Sequence, residues 1–274
     1  MKRLLNLTNS LTAVLFVALV VSMASAQELS GSGQLSQAEI NRVIAAFTAK
    51  ETEFRTALNN YSFKRDATIQ SLGFGKQVTG EFRRVSTFTF DDSGNRYEKI
   101  TYFPMPSFAG AVTQEDLDDL GGIQPFALEP AKIPAYNFRY VGKEKIDELN
   151  LYVFDVTPKV MPDAKKTKER FFLGRIWVDD RDLQIVKTKG KGVPETKTNK
   201  FPVVETYREQ IDKYWFPTYS YADEELNFED GGTLHVRMQV RYSDFAPARA
   251  TIKITEIDEA DEKKEPPAPT KPKP

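Results

Sequence analysis

Polar and apolar positions along this chain follow two periods, with a switch between them at Tyr61. Ahead of the switch, Ile40, Val43, Ile44, Phe47, Phe54 and Leu58 recur at the spacing of one stripe on a helix. Ser36-Gln37-Ala38-Glu39 precedes them as a capping box, in which the serine oxygen accepts a backbone N–H and the glutamate returns to the serine N–H. Asn59-Asn60 ends the run. The pattern predicts a helix over 36–58, roughly 34 Å long at 1.5 Å per residue and able to cross the face of a sheet. Arg42, Lys50, Glu51 and Arg55 are assigned to its polar side, so it is no membrane span.

After Tyr61 the period is two. Strands are predicted at 61–72, 76–90, 95–103, 136–142, 150–157, 170–178, 183–189, 201–210, 214–222, 234–243 and 250–257. Asp91-Asp92-Ser93-Gly94 is a turn signal between two of them, and Asp230-Gly231-Gly232 another. Leu234, Val236, Met238, Val240 and Tyr242 alternate with His235, Arg237, Gln239 and Arg241, as on a sheet with one dry and one wet face. Many short strands with turn-sized gaps predict an antiparallel meander or barrel-like sheet, mainly β with helices (α+β). The dry face of 234–240 is expected to meet the 36–58 helix. Between Phe103 and Tyr136 a Pro-rich excursion carries a predicted short helix over 113–120, read as a lid or as a plug closing one end of the sheet.

The two ends have other compositions. Lys2 and Arg3 open a segment without acidic residues, an apolar run spans Leu11 to Val21, and Ala24-Ser25-Ala26 follows. This is the pattern of an export signal cleaved after Ala26, with an apolar run shorter than the roughly 20 residues that cross a bilayer. At the other end, a charged run over 258–265 precedes a tail with prolines 266, 267, 269, 272 and 274, which cannot bury enough apolar surface to order itself. The expected organisation is therefore a signal at 1–26, a linker at 27–35, one domain at 36–257 and a disordered tail at 258–274, with periplasmic export.

Composition removes most chemistry. The 274 residues contain no Cys and a single His, so thiolate zinc, iron–sulfur and cysteine-nucleophile sites are excluded and His-rich metal sites with them. Lys and Arg number 38 against 39 Asp and Glu, a balance without the excess positive charge that nucleic-acid binding requires. Asp179, Asp180 and Asp182 lack the glycine and terminal glutamate of a calcium loop and read as a tight turn. His235 lies on the wet parity of its strand and is expected to be solvated. No convergent titratable cluster or Gly-rich phosphate loop is evident, so neither a catalytic residue, a metal nor a cofactor is assigned. The Lys159–Arg170 loop is basic and is either a solvated surface or a contact for anionic headgroups.

Two segments carry a resemblance. Gly174-Arg175-Ile176-Trp177-Val178-Asp179 followed by Asp182-Leu183-Gln184-Ile185-Val186-Lys187, and later Tyr214-Trp215-Phe216-Pro217-Thr218, resemble the strand–turn–strand unit and the aromatic-x-Pro-Thr strand of the LolA-like lipoprotein-sorting superfamily. The resemblance implies a curved, unclosed antiparallel half-barrel covered by the N-terminal amphipathic helix and a Pro-rich helical lid. It also implies a soluble carrier of lipid or lipoprotein acyl chains, with an envelope membrane or membrane protein as partner.

On a dry concave face the aromatic parities name candidate cavity residues: Phe82, Phe88, Phe90, Tyr152, Phe154, Phe172, Ile176 and Met238. Each buried methylene of an acyl chain there contributes about 0.8 kcal/mol. Aromatic residues in strands more often pack as core against a covering helix, which leaves a non-enzymatic sensor or partner-binding module of the same fold, and more remotely an enzyme, as alternatives.

Overall fold

The computed structural model describes residues 35–108, 128–167, 169–197 and 199–248. Helix α1 runs Gln37–Leu58, and its capping box is formed: the Glu39 N–H donates to Ser36 Oγ at 3.3 Å and the Ser36 N–H to Glu39 Oε2 at 3.0 Å. Among the described residues ten strands follow: β1 Tyr61–Leu72, β2 Val78–Phe90, β3 Arg96–Tyr102, β4 Tyr136–Ile146 and β5 Leu149–Pro158. The remainder are β6 Phe171–Asp179, β7 Ile185–Val193, β8 Val204–Ile211, β9 Tyr214–Asn227 and β10 Thr233–Pro247.

All ten belong to one sheet in the order β3-β2-β1-β10-β9-β8-β7-β6-β5-β4. Each neighbouring pair is antiparallel. The chain meanders from β4 to β10, and β10 then pairs with β1, Val240 opposite Ala67 and Met238 opposite Ile69. Strands β3 and β4 form the two edges, so the sheet is not closed. Laid flat, ten strands would be about 45 Å wide. Yet the N-terminal half of α1 packs through Val43 and Phe47 with residues of β4–β7, and its C-terminal half packs through Phe54, Ala57 and Leu58 with β1, β2, β9 and β10. The sheet therefore curls around a helix lying across its strands, which is the expected unclosed half-barrel.

The sheet order makes the segment between β3 and β4 join opposite edges. At its start the Ser107 N–H donates to the Glu81 carbonyl at 2.9 Å; at its end Glu129 pairs with Arg55 of α1 at 2.9 Å, just before a 3-10 turn over Pro130–Ala135. The predicted 113–120 helix, the 250–257 strand, the 1–26 signal and the 258–274 tail lie outside the described residues.

Boundaries differ from expectation where local signals compete. Strand β2 begins at Val78 because Phe74–Lys76 form a 3-10 turn with Gly75 at φ 79. Strand β9 runs past the predicted end at 222 through Asp223, Glu224 and Glu225, because these residues pair with Arg237, Val236 and His235 of β10 in the hairpin that the 230–232 turn closes. The 179–184 region is the expected turn: the Gln184 N–H donates to Asp182 Oδ1 at 3.0 Å and the Leu183 N–H to the Asp179 carbonyl at 3.1 Å. Gly174 and Gly190 face each other across β6 and β7. A Cβ on Gly190 would meet the Phe172 ring at 2.6 Å, so only glycine leaves that ring its place on the sheet.

Candidate ligand-binding site

The face against α1 holds two apolar clusters. The first gathers Phe54, Phe63, Ile69, Phe82, Phe88, Phe216, Met238, Val240 and Tyr242, among others, on α1, β1, β2, β9 and β10. The second gathers Val43, Phe47, Tyr136, Tyr152, Phe154, Phe172, Ile176 and Ile185 on α1 and β4–β7. Of the residues named from parity, Phe82, Phe88 and Met238 lie in the first cluster and Tyr152, Phe154, Phe172 and Ile176 in the second. Phe90 is half-buried opposite Arg96 of β3 and belongs to neither. The expected pairing of the 234–240 dry face with the helix is met by Phe54, Ala57 and Leu58 rather than by Phe47, which packs against Phe138 and Phe154.

An ion pair divides the two clusters. Glu51 and Arg208 are 2% and 1% exposed, and they meet in a fork, Nη1 to Oε1 at 2.7 Å and Nη2 to Oε2 at 3.1 Å. The guanidinium also lies 4.6 Å from the centre of the Phe54 ring and donates to the Ile185 carbonyl at 3.2 Å. The assignment of Glu51 to the polar side of the helix is thus corrected. It stands four residues from Phe47 and three from Phe54, on the stripe itself, and a partner on β8 makes a buried carboxylate tolerable there.

Beside the first cluster a groove of about 640 Å³ opens, a size suited to small-molecule ligands. Its cause is a parting of strands: β9 and β10 pair from Asn227–Thr233 to Tyr219–Arg241, after which β10 continues beside β1. Glu209, Arg241 and Asp244 supply charge to its walls, while Ile211, Tyr242 and Phe245 belong to the first cluster or pack against it. Burial pushes the Tyr242 hydroxyl up to about 12, so it stays neutral at physiological pH.

Arginines reach the same end of the face. Arg65 is 1% exposed on β1, in the parity of Phe63, Ala67 and Ile69. With Arg84 it holds Glu98 of β3, each guanidinium 2.7 Å from a different carboxylate oxygen. Arg96 lies over Phe63 and Phe88 at 4.7 and 5.3 Å, and burial lowers it from its ordinary value. These residues were missed in the sequence. The available signal was a cation on the dry parity of β1, which needs a counter-charge from elsewhere in the fold.

His235 is not simply solvated, as its parity suggested. It meets Asp223, which also accepts from Arg237 Nη2 at 2.9 Å and Tyr221 Oη at 3.1 Å. The bond to His235 heads the interactions that outweigh burial and hold the Asp223 carboxyl down at about 2. Every member of this cluster is thereby engaged with another, on the face away from α1. That outer face also carries a core of its own over β5–β7, Leu151, Val153, Trp177 and Val186 with Trp215 packed against it. Trp177 Nε1 donates to Glu144 Oε2 at 2.8 Å, and Lys187 covers the Trp177 ring at 4.8 Å while pairing with Glu205 at 2.7 Å. Among the described residues, no group of acidic or imidazole side chains is disposed to hold a metal ion, and no helix is long and apolar enough to cross a membrane.

No family model matches the sequence, and no curated protein matches it. Among solved structures, the chain is similar to a DUF1329 family protein from Desulfovibrio piger at 16% identity and a TM-score of 0.37, covering 75% of this chain and 92% of that one. It is similar to the LolA superfamily protein NE2245 from Nitrosomonas europaea at 13% identity and a TM-score of 0.32, covering 73% and 93%. MucB, solved in complex with MucA(peri), is similar at 10% identity and a TM-score of 0.22, covering 73% and 98%. No functional residue is carried over from these structures to this chain.

Proposed function

We propose that this chain is an exported, non-enzymatic binding protein that shelters an acyl chain or a lipid of similar shape on the concave face, at its β1–β2–β9–β10 end. The observation that carries the reading is the groove of about 640 Å³ beside the first apolar cluster, lined by Tyr242, a member of that cluster, and by Phe245, which packs against it. An apolar chain entering there exchanges water for aromatic and aliphatic surface, a gain of about 0.8 kcal/mol per methylene. Of the parity candidates, Phe82, Phe88 and Met238 then serve the ligand, and Tyr152, Phe154, Phe172 and Ile176 hold the half-barrel together. The test is titration of the delipidated protein, without its signal, with a fluorescent fatty-acid probe, followed by competition with unlabelled lipid. Saturable binding at micromolar concentration, weakened by Thr218→Trp in the groove, supports the reading; a probe that never saturates rejects it.

A second reading is favoured by a separate observation. Edge strand β3 and the residue after it expose Tyr97, Ile100, Tyr102 and Phe103, each about half accessible, and no described strand pairs with the outer side of β3. An exposed apolar edge is a template for an added strand, so a partner-binding module of the same fold would use this side.

A further inference from the structure

The groove belongs to neither face of the sheet alone. Arg241 and Tyr242 follow each other on β10, so the pleat turns their side chains to opposite faces, yet both line it. Tyr242 joins the first cluster on the side of α1, whereas Arg241 lies at the last β9–β10 pair with its guanidinium 5.3 Å from the centre of the Tyr219 ring. The opening between β9 and β10 therefore leads from the outer face to the concave one. Two bulges border it. Tyr207 stands opposite Tyr219 and Arg208 opposite Pro217, which leaves Thr218 as an extra residue on β9. On β10, Asp244 and Phe245 together span the place of Phe63 alone, between the Lys64–Ser243 and Ser62–Ala246 pairs, with Asp244 at φ 57. Thr218, Asp244 and Phe245 all line the groove, and bulges re-aim side chains in this way beside binding sites.

The charges in its walls are unanswered. Among the described residues, Glu209, Arg241 and Asp244 form no ion pair and no side-chain hydrogen bond. Asp66, opposite Arg241 on β1, is held instead by Arg83, whose Nε and Nη2 donate to its two oxygens at 3.2 and 2.9 Å. One guanidinium and two carboxylates thus share a cavity with Tyr242 and Phe245. A purely anionic head would meet two like charges there, and a purely cationic head would leave Arg241 unanswered. We propose that the groove receives the head of a zwitterionic amphiphile, a phosphate group on Arg241 and an ammonium group on Glu209 and Asp244, with the tail running past Tyr242 and Phe245 onto the first cluster. The guanidinium fork matches phosphate oxygens, and an ammonium has three donors to divide between two carboxylates. Phe245 continues the path inward, 5.1 Å from Phe216 and 5.5 Å from Phe63. The ligand class narrows from any acyl chain to one whose head carries both charges; this rests on the binding reading above for the tail, though not for the head.

Amphiphiles with matched tails separate head from tail. Palmitoyl lysophosphatidylethanolamine, palmitate, cetylamine and cetyl alcohol are each competed against the fluorescent probe on the delipidated protein, and glycerophosphoethanolamine, the head without a tail, is titrated by calorimetry. The zwitterion should bind about tenfold or more tighter than the alcohol, the effect of charge-assisted hydrogen bonds, and tighter than palmitate or cetylamine. Arg241→Gln should shrink that preference and move it toward cetylamine. Glu209→Gln combined with Asp244→Asn should shrink it and move it toward palmitate. All three positions are exposed, asparagine accepts the left-handed backbone at 244, and thermal midpoints confirm that the variants fold. Equal affinity for the four amphiphiles, or a preference of the parent protein for palmitate or cetylamine over the zwitterion, overturns the head site while leaving the acyl reading intact. A zwitterion preference indifferent to both variants overturns it too. If glycerophosphoethanolamine binds while no amphiphile does, the acyl reading falls and the head site stands; if nothing binds, both fall.

Discussion

The β4–β7 half of the sheet and the half made of β1–β3, β9 and β10 carry similar strands to different ends. In the first, β5 and β6 are buried on both faces: Phe154, Val156 and Ile176 pack toward α1, and Leu151, Val153 and Trp177 pack on the outer face. Facing glycines bring Phe172 down onto the sheet, and aromatic rings fill the space under the helix. In the second half, the face toward α1 admits arginines, the strands part to leave a groove, and the edge exposes aromatic surface. Side chains that fill a space cannot also leave room for a ligand, so rigidity is concentrated in one half and accessibility in the other. The Glu51–Arg208 pair lies at the boundary and keeps the two clusters from merging.

Breaking the packed half should have the largest effect. Phe47 is fully buried between Phe138 and Phe154, so Phe47→Asp places an unpaired charge there and should cost about 4 kcal/mol or more. A denaturation midpoint equal to that of the parent would reject the packing. Next is the boundary. Glu51→Ala removes the carboxylate that meets the buried Arg208 guanidinium and should cost about 3–5 kcal/mol, most of it recovered when Glu51→Leu is combined with Arg208→Met. Recovery of nothing in the double variant would mean the pair does more than satisfy its own charges.

A matched pair of variants sharpens the comparison itself. Phe154→Ala should lower stability by about 3 kcal/mol or more and leave the affinity for an acyl probe unchanged, provided measurements are made well below its unfolding temperature. Thr218→Trp should do the reverse, weakening the probe about tenfold or more while stability changes by about 1 kcal/mol or less. Equal effects of both on binding would show that the two halves are not specialised.

The smallest effect is electrostatic and lies on the outer face. Asp223 is held at about 2, below its ordinary value, so its contribution to stability is complete above about pH 4 and is lost as pH falls through about 2. Asp223→Asn should therefore cost about 1–2 kcal/mol at pH 5, allowing for partial exposure, and the gap to the parent should close toward pH 2. Stability measured across that range decides it; a gap that widens in acid would give the shift the wrong sign.

Sequence by itself determined the elements and their faces. Ser36 and Glu39 mark the start of α1, the turn signals at 91–94 and 230–232 fall between strands, and the alternation from Leu234 to Tyr242 matches the burial of β10. These are local properties, set by hydrogen bonds within a few residues and by the pleat that turns alternate side chains to opposite faces. The tertiary structure alone decided which residues meet. Glu51 finds Arg208 across 157 positions, Arg65 finds Glu98 through pairing of β1 with β2 and β2 with β3, and the groove exists because β10 leaves β9 to follow β1. A charge on an apolar stripe is a local contradiction whose resolution lies on another strand. Periodicity can reveal the contradiction, but only the fold supplies the partner, because electrostatic and packing energies depend on distance in space and not on separation along the chain.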